Sequence, residues 1–215
     1  MREMRRIWSI VFILLTLSSA SASARTVADF FASEPGNIFA LLTRTYRLDM
    51  VDYYKSGQAV AVTNNLAGAA QLIEMDSTYL KVQTSPSRVV EMLMRKAGKD
   101  TVITVIETVM TPVPDSRLTQ WNVHWQQYIS DRLFQMPVID DFIVGKMSPD
   151  LRMDLQDAMI FPLIQLSFTG EHHDVIKASH GLEQFLAPSE YKRFAPYLKP
   201  SISYCFNGLK IRPVK

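Results

Sequence analysis

The side chains with the most chemistry in them lie in one short run, Glu171-His172-His173-Asp174, with His180 a few positions further on. Imidazoles and carboxylates are ligands of zinc and related ions, and a histidine beside a carboxylate is also a general acid–base pairing. The spacing argues against a metal. Neighbours in an extended chain point to opposite faces, so His172 and His173 cannot both face one ion unless the chain bends. The run is not an H-E-x-x-H motif, and no cysteine lies near it. His172, His173 and His180 are thus the candidate metal ligands, but a surface hairpin turn is the reading the spacing favours. No cofactor is expected.

Other chemistry is thinner. Trp121, Trp125 and Tyr128 could form an aromatic platform for a glycan or a peptide, since Trp121 and Trp125 would share one strand face with Val123 between them. Packing of that face into a core is the plainer alternative. Glu91 and Glu107 fall on neighbouring predicted strands. Two carboxylates flanking a bond are what a glycosidase needs, but solvation, or pairing with Arg95 or Arg117, is the plainer reading. There is no G-x-S-x-G nucleophile elbow, and Gly68 has neither dinucleotide nor P-loop spacing. The single cysteine, Cys205, sits between Tyr204 and Phe206 in a strand-like run, where a thiol is expected to be buried and inert.

These residues must be positioned by an α+β fold. Asn37 is a candidate N-cap, followed by Ile38, Leu41, Leu42, Leu48 and Val51 near helical spacing, with Gly57 where a C-terminal glycine belongs. Strand patterns then follow at 72–75, 79–84, 88–96 and 101–110. The last is β-branched and apolar on both faces, as a strand covered on both sides must be. Residues 117–127 alternate as a further strand. The short links predict an antiparallel meander of about five to eight strands with helices on one face. Further on, Ser148-Pro149 starts a helix, 161–169 and 174–178 read as strands, and 188–198 reads as a helix that Pro196 cuts short. Asn207-Gly208 predicts a hairpin with a type I′ turn. Residues 137–148 carry the weakest pattern and mark a possible border between subregions.

The first residues set the expected address. Arg2, Arg5 and Arg6 precede an apolar run of about 11 residues, short of the ~20 that a membrane helix needs. Small residues follow, ending Ala22-Ser23-Ala24. This is the pattern of a signal peptide over residues 1–24, which leaves residues 25–215 as a single exported domain, most simply periplasmic, without a transmembrane helix. The whole chain carries a formal charge of +2, and removing the leader brings it to balance. With no basic stripe, nothing draws the domain to nucleic acid.

Leu41-Leu42-Thr43, Arg47-Leu48-Asp49-Met50-Val51-Asp52-Tyr53 and Val62-Thr63-Asn64 resemble the start of an uncharacterised family of exported Bacteroidales (Bacteroidetes) proteins, a domain of unknown function. Tyr79-Leu80, Asp115-Ser116-Arg117, and Pro196-Tyr197-Leu198-Lys199 before Tyr204 and Asn207-Gly208 are similar too. The resemblance implies an exported protein and carries no activity or site residues. The sequence therefore points to a non-enzymatic envelope protein that binds a protein, peptide or glycan. The alternative is an envelope hydrolase whose site forms only in three dimensions.

Overall fold

The computed structural model describes residues 25–58, 60–159, 161 and 163–214; the expected leader lies outside them. Six strands form one antiparallel meander: β1 (Val62–Thr63), β2 (Ala69–Met75), β3 (Tyr79–Ser85), β4 (Arg88–Ala97), β5 (Asp100–Val109) and β6 (Asp115–Trp121), neighbours in that order. β7 (Ile164–Thr169), β8 (Val175–His180), β9 (Ser201–Asn207) and β10 (Lys210–Pro213) form a second antiparallel sheet, ordered β10-β9-β8-β7. The helices are α1 (Val27–Ser33), α2 (Arg44–Lys55), α3 (Pro149–Ala158), α4 (Leu182–Phe185) and α5 (Pro188–Phe194).

β5 explains the layering. It is buried from Val102 to Thr108, as its two-sided apolar sequence requires. Ile103 and Val105 join Leu80, Val82, Val90 and Met92 under α1 and α2. On the opposite face Ile106, with Tyr79 and Leu93, packs against Ile164, Leu166, Ile176 and Tyr204 of the second sheet. The first sheet is thus the middle of three layers. The α+β antiparallel architecture is the one expected; α1 and α2 pack on one face of the first sheet, whereas α3, α4 and α5 contribute Leu155, Leu182 and Phe194 to the core on the other side. The later strands do not extend the meander; they cover its other face, because β6 and β7 are separated by a long connection that includes α3 rather than by a tight turn.

β7 is the edge of the second sheet, and its free N–H groups are not left open. Ile164 N donates to Asp115 Oδ1 at 3.2 Å, Leu166 N to Ser116 Oγ at 2.9 Å and Phe168 N to Glu91 Oε2 at 3.2 Å. Side chains of the first sheet therefore satisfy alternate donors of a buried edge that has no strand beside it, which blocks further strand pairing there.

Several local expectations shift. α2 is capped by Thr43, whose Oγ1 accepts from Tyr46 N at 3.2 Å, not by Asn37. The cause is Glu34. Its buried carboxylate accepts from Gly36, Asn37, Ile38 and Phe39 N–H groups at 2.7–3.3 Å and from Arg47 Nη1 at 3.1 Å. That wraps 35–39 into a loop around the anion instead of a first helical turn. Gly57 does end α2, at φ +74°. Ser148 caps α3, and α5 passes into a 3-10 turn (Ala195–Tyr197) at Pro196. In the last hairpin Asn207 pairs with Lys210, so Gly208 and Leu209 make the turn and only Gly208 has positive φ; it is not type I′. The strand expected over 117–127 stops at Trp121. Asn122 Oδ1 then accepts from His124 and Gln126 N–H groups, and Trp125 takes φ +59°. Cys205 is exposed, not buried: β9 turns Ile202 and Tyr204 inward and Ser203 and Cys205 outward.

Candidate functional site

Most buried charge in this molecule is matched. Glu34 meets Arg47, and Glu107 is held by Arg88 and by Arg117, whose Nη2 lies at 2.7 Å. Glu91 accepts from the Tyr79 hydroxyl at 2.9 Å and the Phe168 N–H, with Lys81 at 3.7 Å. Burial and the adjacent Glu91 carboxylate push the Tyr79 phenol far up, so it stays a donor. Glu91 and Glu107 are on adjacent strands, but Glu91 is opposite Ile106 while Val90 is opposite Glu107. The two carboxylates therefore project to opposite faces of the sheet, and they cannot flank one bond.

Arg95 is different. Near the end of β4 its guanidinium lies over the Phe206 ring, 4.2 Å from the centroid, and Nη1 donates to Gly208 O at 2.6 Å. Nε and Nη2 are buried with no acceptor. Burial lowers its pKa to about 10, so it is charged at neutral pH, and no carboxylate is paired with it. The hairpin that the Asn207-Gly208 signal marked in the sequence supplies both its partners.

Arg95 walls a cavity of about 510 Å³ where three turns and strand ends converge: Asp76, Ser77 and Thr78 of the β2–β3 turn, Leu93 and Met94 of β4, Glu171, His172 and Asp174 of the β7–β8 turn, and Phe206 of β9. The volume lies within the ~300–1,000 Å³ of small-molecule sites. The β2–β3 turn is rigid because Asp76 Oδ1 accepts from Thr78 and Tyr79 N–H groups at 2.5 and 2.7 Å. Those bonds, with His173 nearby, hold the Asp76 carboxyl below its usual range despite partial burial. The wall offers one unpaired cation, carboxylates at Glu171 and Asp174, and the apolar surfaces of Leu93 and Phe206.

The histidine run does form a turn, and the turn separates its members. His173, at φ +54°, stacks on Tyr79 with ring centroids 3.6 Å apart and lies 3.7 Å from Glu74 Oε1 and Asp76 Oδ2. His172 is exposed and faces the cavity. His180 is at the far end of β8, about 20 Å along the strand. It packs edge-on to Phe142, both ring nitrogens lack partners, and burial lowers its pKa. Among the described residues no three His, Cys, Asp or Glu side chains are grouped to hold a metal ion.

The tryptophans do not share a strand face. Trp121 is buried, its Nε1 donating to Thr119 Oγ1 at 2.9 Å, and Trp125 meets it edge-on at 6.0 Å from the far side of the turn. Both pack into the core beneath α1. Arg95 was visible in the sequence only as a possible partner for Glu91. Its isolation depends on Glu91 turning instead to Tyr79 and β7.

A larger cavity, about 920 Å³, lies under residues 131–141 against β9 and β10. Its charged side chains, Asp131, Asp141, Lys199 and Arg212, are of both signs. Burial and Asp141 push the Tyr204 phenol up to about 12.

A two-sheet α+β fold with a charged cleft at the junction of its layers defines a class of domain without naming a reaction. Within that class, the chain belongs to the family described as protein of unknown function (DUF3256), which matches residues 19–211. A domain of an uncharacterised protein from Porphyromonas gingivalis W83 shares the fold, with a TM-score of 0.77 at 21% identity over 89% of this chain and 100% of that one. No curated protein matches the sequence. Among the described residues no helix is long and apolar enough to cross a membrane.

Proposed function

We propose that the chain is an exported, non-enzymatic binding protein whose ligand places an anionic group on Arg95. The observation that carries this is the buried guanidinium with two donors unmet. A buried charge without a counter-ion is costly, and in a cleft such a group is where an anion gains most. Across the cavity Glu171 and Asp174 suit an ammonium or another donor, and Leu93 and Phe206 suit an apolar body. The fitting ligand class is a small zwitterion with an apolar side, such as a short peptide. Export is supported by the n-region, apolar run and Ala22-Ser23-Ala24 of the leader.

Titration calorimetry with Leu-Phe dipeptide tests the site. The free dipeptide should bind, and its C-terminal amide and its N-acetyl form should each bind roughly tenfold or more weakly. Arg95→Met should remove binding while leaving the fold intact. Equal binding to Arg95→Met would overturn the assignment. Intact mass of the protein recovered from cell envelopes tests export: a chain beginning at Arg25 is expected, and one beginning at Met1 in the cytosol would sink that part.

A further inference from the structure

Beside the Arg95 cleft, and sharing Thr78, Met94 and Arg95 with it, lies a second cavity of about 550 Å³, bounded further by Arg25 and Phe30 of the α1 region, Lys96 of β4, Thr101 of β5 and Val123. Its interior is apolar, formed by Phe30, Met94 and Val123. Its rim is cationic, and its cations have only neutral partners. Arg25 stacks on the Phe30 ring 4.0 Å from the centroid and donates to Ser33 Oγ at 3.1 Å and weakly to Val123 O at 3.5 Å. Lys96 donates to Thr101 Oγ1 at 2.9 Å. No carboxylate lines the cavity among the described residues.

Two further features converge on this wall. Trp125 stands edge-on to Phe30, 6.3 Å between centroids, and its Nε1 is buried without a partner. It is held at φ +59°, a conformation unfavourable for a bulky residue. The clamp that holds it is Asn122, which receives the His124 and Gln126 N–H groups and donates to Gln126 Oε1 at 2.8 Å. Strain of this kind persists where surrounding bonds over-determine the backbone, and it concentrates at ligand sites.

We propose that this cavity is a separate binding site for a single-chain anionic amphiphile, its carboxylate held between Arg25 and Lys96 and its hydrocarbon tail on Phe30, Met94 and Val123. Charge complementarity selects the head, since the charged residues of the described lining, Arg25, Arg95 and Lys96, are all cations. The apolar lining selects the tail, and burying it supplies most of the affinity. The two cavities adjoin at Thr78, Met94 and Arg95, but of the residues given the head and tail here, Arg25, Lys96, Phe30 and Val123 line this one alone.

Dodecanoate below its micelle concentration is the probe, followed by tryptophan fluorescence and by calorimetry. Saturable binding with a change in emission is expected. Dodecanol should bind roughly tenfold or more weakly, and acetate should not bind. The Arg25→Ala/Lys96→Ala double variant should lose about tenfold or more, while Lys177→Ala, which removes an exposed cation of β8 outside the cavity, should bind dodecanoate as the parent does. Both replaced side chains are exposed, so the variant should fold, with far-UV dichroism as the check. Equal affinity for dodecanol, or no loss in the double variant, would overturn the anionic-head assignment. Binding to anionic phosphatidylglycerol vesicles without binding to monomeric dodecanoate would overturn the cavity in favour of a membrane-facing surface.

Discussion

Glu34 is a buried charge and Arg95 a half-buried one with Nε and Nη2 enclosed; each is held by a loop, and their surroundings could hardly differ more. Glu34 receives four backbone N–H groups and a guanidinium. Arg95 has one carbonyl, one aromatic ring and two unmet donors. A matched charge fixes local structure, and here it decides where α2 begins. A cation without a counter-ion is held here only by a carbonyl and a ring, which leaves donors free, and that is why the proposed ligand is placed on it.

The comparison is broken most sharply at Glu34. Glu34→Ala leaves Arg47 buried and unpaired and should cost about 3–5 kcal/mol, seen as a fall in Tm of roughly 10 °C. A loss below about 1 kcal/mol in urea melts would mean that the loop does not depend on the anion. Glu91→Ala should follow at about 1–3 kcal/mol, because the Tyr79 hydroxyl and the Phe168 N–H lose their acceptor between the sheets. Wild-type stability after Glu91→Ala would show that the β7 edge is not tied there.

His180 gives a smaller, pH-dependent effect. Its folded pKa is depressed by burial, so its contribution is fully present above the unfolded value of about 6.5 and is lost as pH falls below it, because the unfolded chain takes up the proton first. His180→Leu should therefore be nearly neutral at pH 7.5 and less sensitive than the parent between pH 6.5 and 5. Parallel stability curves for the two proteins would refute this. The smallest change is expected at Arg95 itself. Arg95→Met should alter stability by no more than about 1 kcal/mol, with a gain as plausible as a loss. A loss like that of Glu34→Ala would make Arg95 structural and erase the contrast. Cys205 should react promptly with a maleimide in the native state, and slow labelling would contradict its outward position on β9.

The fold was readable wherever one strand or helix explains itself. The double-sided apolar run of β5, the Ser148 cap, the break at Pro196 and the turn at Gly208 are all local signals, and each lies where those residue types favour that backbone. The misreadings came from side chains that capture nearby backbone N–H groups and from which face of a strand is covered. Asn37 is a good cap by type, yet the Glu34 carboxylate takes its neighbours' N–H groups. Residues 122–127 alternate like a strand, yet the Asn122 side chain bends them into a turn. Cys205 has apolar neighbours in sequence, but strand alternation turns it outward.

By itself the sequence determined the α+β class, the antiparallel pairing and the family, because hydrophobic period, proline, glycine and cap residues act over a few positions. Tertiary structure alone decided that the strands divide into two sheets, that Glu91 and Glu107 point apart, and that Arg95 is half-buried without a counter-ion. Each of those depends on which atoms from remote segments arrive at the same place, and hydrogen bonds and ion pairs between such segments leave no period in the chain.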